Sequence, residues 1–317
     1  MSILQDVPPG GAWASVLDIR RKFWRNGVAC IAAAAFLFSV GTLCVKILAS
    51  ENLPVFIVAF VPSLLCWTVT SWLVQRNNIP LWGETRSTRT LILLRGILGA
   101  ASLSLYYFSV QLLPMKDAVT LFFCSPVIAA ILEWAITGIN LSYSALAGCL
   151  FTVVGVFLVT QPDCVEHMTG GMPGHVPGMV MAVAAATCNA SAFVAVRMLR
   201  GSISTLTITW WYHACVVLVT SIPLMAGYPT PAVVPTKQEV VILLVVFGCQ
   251  MLGQNLLNRG FQLLTATRGS AINVLQVVYA YLWELTFLKE EINLVSVFGG
   301  LSVMAGVVTV SIGRHHE

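Results

Sequence analysis

The sequence predicts an all-α polytopic membrane protein in which ten transmembrane helices form two inverted five-helix repeats. Three observations carry that prediction. The 317 residues are 57% hydrophobic and only 9% charged, with a mean hydropathy of +0.85, whereas a soluble domain carries about 25% charged residues. The apolar residues fall into segments close to the ~20 residues needed to cross a bilayer. The chain also repeats itself, since a shift of 151 positions brings Leu113 onto Leu264, Glu133 onto Glu284, Gly148 onto Gly299 and Gly155 onto Gly306. In an apolar chain, Ala, Leu and Val coincide by chance. A glutamate on a glutamate, followed by two glycine pairs, carries more weight.

The predicted segments run approximately 27–49, 54–74, 90–112, 116–136, 142–160, 177–198, 206–227, 239–262, 268–288 and 293–312, the third and eighth being long and polar at one end. The domain plan is a tail over 1–26, a first repeat over 27–160, an external linker over 161–177, a second repeat over 178–312 and a tail over 313–317. The basic run Arg20–Arg25 precedes a segment long enough to span, so no cleavable signal is expected. Trp13 and Trp24 belong near the lipid interface. With the N-terminus in the cytoplasm, thirteen Lys and Arg residues fall on the cytoplasmic side and only Lys46, Lys116, Lys237 and Lys289 on the other. That is the positive-inside bias, and it places both termini in the cytoplasm. Five segments per half is an odd number, so the second half enters upside down, an arrangement common among secondary transporters.

Several other readings follow. Eight of the nine cysteines lie in apolar segments and none forms CxxC, so packing is their expected role, with no disulfide framework. The linker's Asp163, Glu166, His167 and His175 are too irregularly spaced for a metal site. The N-x-S matches at Asn140 and Asn189 fall where glycosylation is not expected. No HExxH, GxSxG or P-loop occurs, so neither enzyme activity nor a cofactor is expected, and the basic residues sit at segment ends rather than in a nucleic-acid patch.

Short motifs carry a family likeness. Leu94-Arg95-Gly96 opens the third segment, and Leu113-Pro114-Met115-Lys116-Asp117-Ala118 precedes the fourth, which contains Ser125-Pro126-Val127. Asn258-Arg259-Gly260, Lys289-Glu290-Glu291 and Gly299-Gly300 follow in the second half. With these residues the chain, over about 27–312, resembles the drug/metabolite transporter superfamily with its EamA-like repeat, and within it the solute-carrier 35 family, subfamily G. The resemblance implies two inverted five-helix halves and metabolite transport. One position departs from the pattern: where the family carries an acid after the fourth helix, as Glu290 follows the ninth, this chain has Ile139.

Charge within a membrane costs at least ~2.5–3.5 kcal/mol on insertion scales, so the intramembrane polar residues need partners or water. On the ninth segment Asn273, Gln276, Ala280 and Glu284 share one helical face, matched on the fourth by Phe122, Ser125, Ala129 and Glu133. Gln250, Gln254 and Asn258 recur every fourth residue on the eighth, with Arg259 beside them. Glu133 follows Asp117 by sixteen residues, and Glu284 follows Arg268 by sixteen. Inversion therefore sends the two glutamates to opposite mouths, as gates or proton-coupling groups. Alternatively they are interfacial ion pairs, Glu133 with Arg95, Arg259 or Arg268, and Glu284 with Lys46 or Lys289. Arg95 and Arg259 read either as cytoplasmic anchors or as attractors of an anion. Tyr107, Asn189, Gln250, Gln254, Asn258, Asn273, Gln276 and Tyr279 are the candidate solute-binding residues. The alternative for the amides is interhelical hydrogen bonding. Tyr107 and Tyr279 are preferred to their neighbours Tyr106 and Tyr281. Trp210, Trp211 and Tyr212 read as an interfacial belt, and His213 as structural. The small-residue spacings Gly148/Thr152 and Ser302/Gly306 predict close helix packing or, secondarily, a homodimer face.

The expected function is secondary transport of a small polar organic metabolite by alternating access, with an organic anion preferred and an amino acid or nucleotide-like solute as alternatives. A coupled proton and membrane lipid are the other expected partners. The competing class is a non-transporting protein that binds or regulates a partner. The plasma membrane is the default location, an organelle membrane the alternative.

Overall fold

The computed structural model of the chain describes residues 18, 21–51, 53–113, 115–138, 142–160, 175–228, 230–231, 233–288 and 294–312. Trp13, Ile139, Asn140, Cys164, most of the linker and Glu290 lie outside these residues, as do the side chains of Lys116 and Glu284. All regular structure among the described residues in the membrane region is helical: α1 Gly27–Ser50, α2 Val55–Arg76, α3 Arg86–Leu112, α4 Met115–Phe122, α5 Ser125–Thr137, α6 Tyr143–Thr160, α7 His175–Met198, α8 Thr205–Met225, α9 Lys237–Leu263, α10 Ala266–Asn273, α11 Leu275–Trp283 and α12 Leu294–Ile312, with a π-helical turn at Glu284–Leu288. The elements begin where polar caps allow. Asn26 accepts from Ala29 N at the head of α1, Thr85 from Thr88 N at α3, and Ser204 from Leu206 N at α8. Thr236 and Glu239 form a reciprocal capping box at α9.

Among the described residues, eight helices are long and apolar enough to span a membrane, with α4 and α5 contributing one span as Asp117–Thr137. The predicted ninth segment is not a continuous helix. It breaks at Val274, between α10 and α11, and the fourth breaks at Phe123–Cys124. The two breaks are equivalent under the 151-residue shift, because α4 ends at Phe122 and α10 at Asn273. Pro126 explains the first, since its missing N–H and its ring disrupt the preceding turn. In the second half Val277 occupies that position, and the turn is closed by the tighter bonds Val274 N→Ala271 O and Val277 N→Val274 O. The shared faces expected from Asn273 to Glu284 and from Phe122 to Glu133 therefore do not run unbroken, because helical register is lost at each break.

The repeat is visible in the packing. α3 lies on α7 as α9 lies on α1. α5 lies on α7 as α11 lies on α1, and α8 on α3 as α9 on α2. A Cβ at Gly27 would fall 2.7 Å from Leu264 Cγ, and one at the equivalent Gly178 would fall 2.7 Å from Leu113 Cγ. The first helix of each half thus docks on the far half. α6 and α12 pair with each other, and their small residues meet there: a Cβ on Gly155 would lie 2.6 Å from Val303 N, and one on Gly306 2.7 Å from Gly148 O. Ser302 also donates to Phe151 O at 3.0 Å. The small-residue faces that could have served a dimer are thus occupied within the chain. In lipid, where burying apolar surface between helices gains little, such backbone proximity supplies the adhesion. Gly155→Ala is expected to lower stability by about 1–3 kcal/mol through forced separation of the helices, whereas Gly248→Ala, with open space at its Cβ, should be neutral. Thermal unfolding in detergent reads the difference.

Candidate functional site

Arg95 sits in the third turn of α3 and is 2% exposed, so it is not the interfacial anchor that one sequence reading allows. Two glycines admit its neighbours. A Cβ on Gly96 would come within 2.9 Å of Cys215 Sγ and 3.0 Å of Trp211 O, and one on Gly99 would strike Arg95 itself and the Tyr212 ring. Their absence lets α8 lie against α3, with the Tyr212 ring 4.7 Å beneath the guanidinium carbon. The guanidinium donates from Nη2 to Gln254 Oε1 at 3.2 Å and to Asn258 Oδ1 at 3.4 Å, while Nε finds no partner. Asn258 Nδ2 donates in turn to Thr209 Oγ1 at 3.0 Å. Gln254 and Asn258 are 8% and 1% exposed. The four-residue stripe on α9 brings both amides to the same cation, because α9 runs unbroken there.

Every partner of this cation is neutral. The exposed pair Lys22–Asp18, at 2.8 Å, involves neither Arg95 nor its partners. His213, one residue beyond Tyr212, is fully buried with neither ring nitrogen bonded. Gln250 Oε1, one turn from Gln254, and Asn273 Oδ1, at the break after α10, are also buried without partners. Polar atoms left this way in a native interior call for an explanation.

Glu133 is 2% exposed at the end of α5. Its ion-pair candidates are not its partners. Oε1 accepts from Ala266 N at 2.8 Å, and Oε2 accepts from Thr267 N at 2.9 Å and Thr267 Oγ1 at 2.7 Å. Thr265 Oγ1 takes Arg268 N at 3.3 Å, and Thr265 O takes Gly269 N at 2.9 Å. The orphan donors at the head of α10 are thereby satisfied, and the carboxylate sits where the helix dipole favours it. Arg259, adjacent in sequence to Asn258, turns the other way: it donates to Trp24 O at 3.1 Å and lies over the Trp24 ring.

The remaining candidates are dispersed. Tyr107 stands twelve residues beyond Arg95 on α3, about 18 Å along the axis, edge-on to Phe56. Tyr279 on α11 packs on Phe36. Asn189 and Gln276 are part-buried on α7 and α11. Sequence reasoning missed Thr209 and Tyr212 as members of the cluster. Their signal was the spacing Thr205, Thr209, Tyr212, a polar stripe at helical period that the aromatic run beside it masks. Trp210 and Trp211 donate to Ser71 Oγ at 2.7 Å and Leu81 O at 2.8 Å, fastening α8 to α2 and to the loop after it.

The comparison with known proteins decides the family. The EamA-like transporter family matches twice, over residues 25–161 and 176–312. The chain belongs to that family. Human solute carrier family 35 member G1 is 27% identical over 90% of this chain and 78% of its own length. The pseudopaline exporter CntI of Pseudomonas aeruginosa is 27% identical over 93% and 98%. One solved crystal structure superposes with a TM-score of 0.75 at 15% identity, covering 92% of this chain and 99% of the other, a likeness of fold. This EamA-like protein, also similar to subfamily G as its motifs suggested, is an integral multi-pass membrane transporter of small molecules. Its two EamA repeats are the two halves that pack with exchanged helices, and Arg95, Gln254 and Asn258 bind across them.

Proposed function

We propose that the protein is a secondary transporter of a small organic anion, working by alternating access between two inverted five-helix repeats. The observation that carries the reading is Arg95: a buried guanidinium whose partners are two amide oxygens and a Tyr face, with Nε unpartnered and no acid within ion-pair distance among the described residues. Burying a cation costs several kcal/mol unless it is paired. A carboxylate or phosphate on the solute would supply the missing charge, and Gln254 and Asn258 would then turn to its polar groups. The solute-binding set is Arg95 with Gln250, Gln254 and Asn258. Asn273 and Gln276 stand beside the α10–α11 break, Asn189 lies on α7, and Tyr107 and Tyr279 lie farther along the path.

The ten-helix count follows if the broken fourth and ninth segments and α12 each cross once. The equivalent breaks after Phe122 and Asn273 then lie at corresponding depths in the two halves, as discontinuous helices do in transporters with inverted repeats. The Arg-rich loops support a cytoplasmic position for both termini, with the plasma membrane as the default site. Glu133 serves as the tether of α10 to α5, and any gating or proton-coupling role acts through that tether. A relative named as an exporter supports movement of a small solute out of the cytoplasm.

The test is uptake by proteoliposomes offered a mixed pool of organic acids, amino acids and nucleotides, with and without a proton gradient. An organic anion should be accumulated, and at a hundred times its Kd it should stabilise the protein by about 2.7 kcal/mol. Transport confined to neutral solutes, or no transport together with no thermal shift from any anion, overturns the reading.

A further inference from the structure

A second cationic feature lies away from Arg95. Where the short helical stretch 21–25 meets the end of α9 and the heads of α1 and α10, the surface folds into a cleft of about 530 Å³. Lys22, Arg25 and Arg268 line it, alongside the apolar side chains of Val28, Leu264 and Val310. Arg268 is 9% exposed, so its side chain is drawn into the wall rather than spread in water. Among the described residues, no Asp or Glu lines the cleft. Lys22 meets Asp18 at 2.8 Å, but both side chains are largely exposed and the pair is easily exchanged. Glu133, which caps the same helix that carries Arg268, gives both oxygens to Ala266 and Thr267 and forms no ion pair with the arginine.

Among the described residues the cleft therefore combines three cations without a buried counter-ion and an apolar wall, at the end of membrane-spanning helices. A free inorganic anion would use the cations and leave the wall wet. An amphiphile with a phosphate head satisfies both. Basic pockets between helix ends are suited to lipid head groups for this reason. We propose that this cleft holds an anionic phospholipid of the adjoining leaflet, its phosphodiester between Arg25, Arg268 and Lys22 and its acyl chain along Val28, Leu264 and Val310. The lipid would bridge the first helix of one half to α9 and α10 of the other, beside the Gly27–Leu264 contact.

Native mass spectrometry of the full chain released from nanodiscs tests this. In discs containing both phosphatidylcholine and phosphatidylglycerol, the wild type should retain phosphatidylglycerol selectively. Lys22→Gln and Arg25→Gln, both exposed on the helical stretch 21–25 and neutral for folding, should each weaken retention roughly fivefold, the effect of one cation beside a charged lipid surface. Arg268→Gln should do the same, with Arg268→Lys retaining most of the binding. Equal retention of the two lipids, or unchanged retention in Lys22→Gln/Arg25→Gln, overturns the proposal. So does displacement of the lipid by inorganic phosphate at matched concentration, which would assign the cleft to a soluble anion.

Discussion

Arg95→Met is expected to abolish concentrative uptake of the organic anion while leaving the fold almost as stable as before. The two effects separate because the cation is costly at rest and useful when loaded. Its burial costs several kcal/mol. Against this stand two hydrogen bonds at 3.2 and 3.4 Å to neutral amides, each worth about 1.5–3 kcal/mol to a charged group, and a cation–π contact with Tyr212 of about 2 kcal/mol at most. These terms nearly cancel, so the thermal midpoint in detergent should correspond to a change of about 1 kcal/mol or less in either direction. The charge-assisted contact with the solute has no such offset, and its loss should weaken transport on the order of a hundredfold. Arg95→Lys should fall between, because an ammonium keeps the charge without the planar fork. A variant that unfolds early yet transports at normal affinity would make Arg95 a packing residue and remove the basis for an anionic solute.

The second large effect concerns Glu133. Replacing it with Ala would strip acceptors from Ala266 N, Thr267 N and Thr267 Oγ1 in a site that is 2% exposed. Two buried backbone donors left unsatisfied cost about 1–3 kcal/mol each, and the lost helix-dipole interaction adds up to ~2 kcal/mol. Glu133→Ala should therefore lower stability by about 3–6 kcal/mol. Glu133→Gln keeps one acceptor but turns an amide N–H₂ towards a backbone N–H, and should cost about half as much. Scanning fluorimetry across the series checks this ordering. If Glu133→Gln is as stable as wild type but shifts the pH profile of uptake, the carboxylate is a coupling group and the tether reading fails.

How much of this was legible from residues alone depends on the kind of signal. The repeat was legible because a 151-residue shift preserves glycines and a glutamate, and the long third and eighth segments appear as α3 and α9, which coincide residue for residue under that shift. The breaks in the fourth and ninth segments were hidden, since Asn273 to Glu284 keep helical spacing in sequence although the chain interrupts it at Val274. Glu133 was recognised as costly, but its partners are main-chain groups of α10, and no side-chain pattern announces a backbone donor. The amide stripe on α9 was readable from its period of four. That it closes on Arg95 depends on Gly96 and Gly99 admitting α8, a steric fact that becomes visible only once α8 is in place.

The exchanged docking of α1 and α7 has a consequence for biosynthesis. The face of α1 that carries Cys30, Ile31 and Ala34 is buried, and its main partner is α9, with α10 and α11 beside it. None of these exists until the ribosome has passed residue 237. The first helix must therefore wait in the bilayer through the synthesis of most of the chain, and neither half can assemble its own interior before the other arrives. Insertion and tertiary assembly are thus separated in time. A ribosome stalled within the second half would leave the first half threaded in the membrane but unlocked, open to whatever retains or removes unassembled helices.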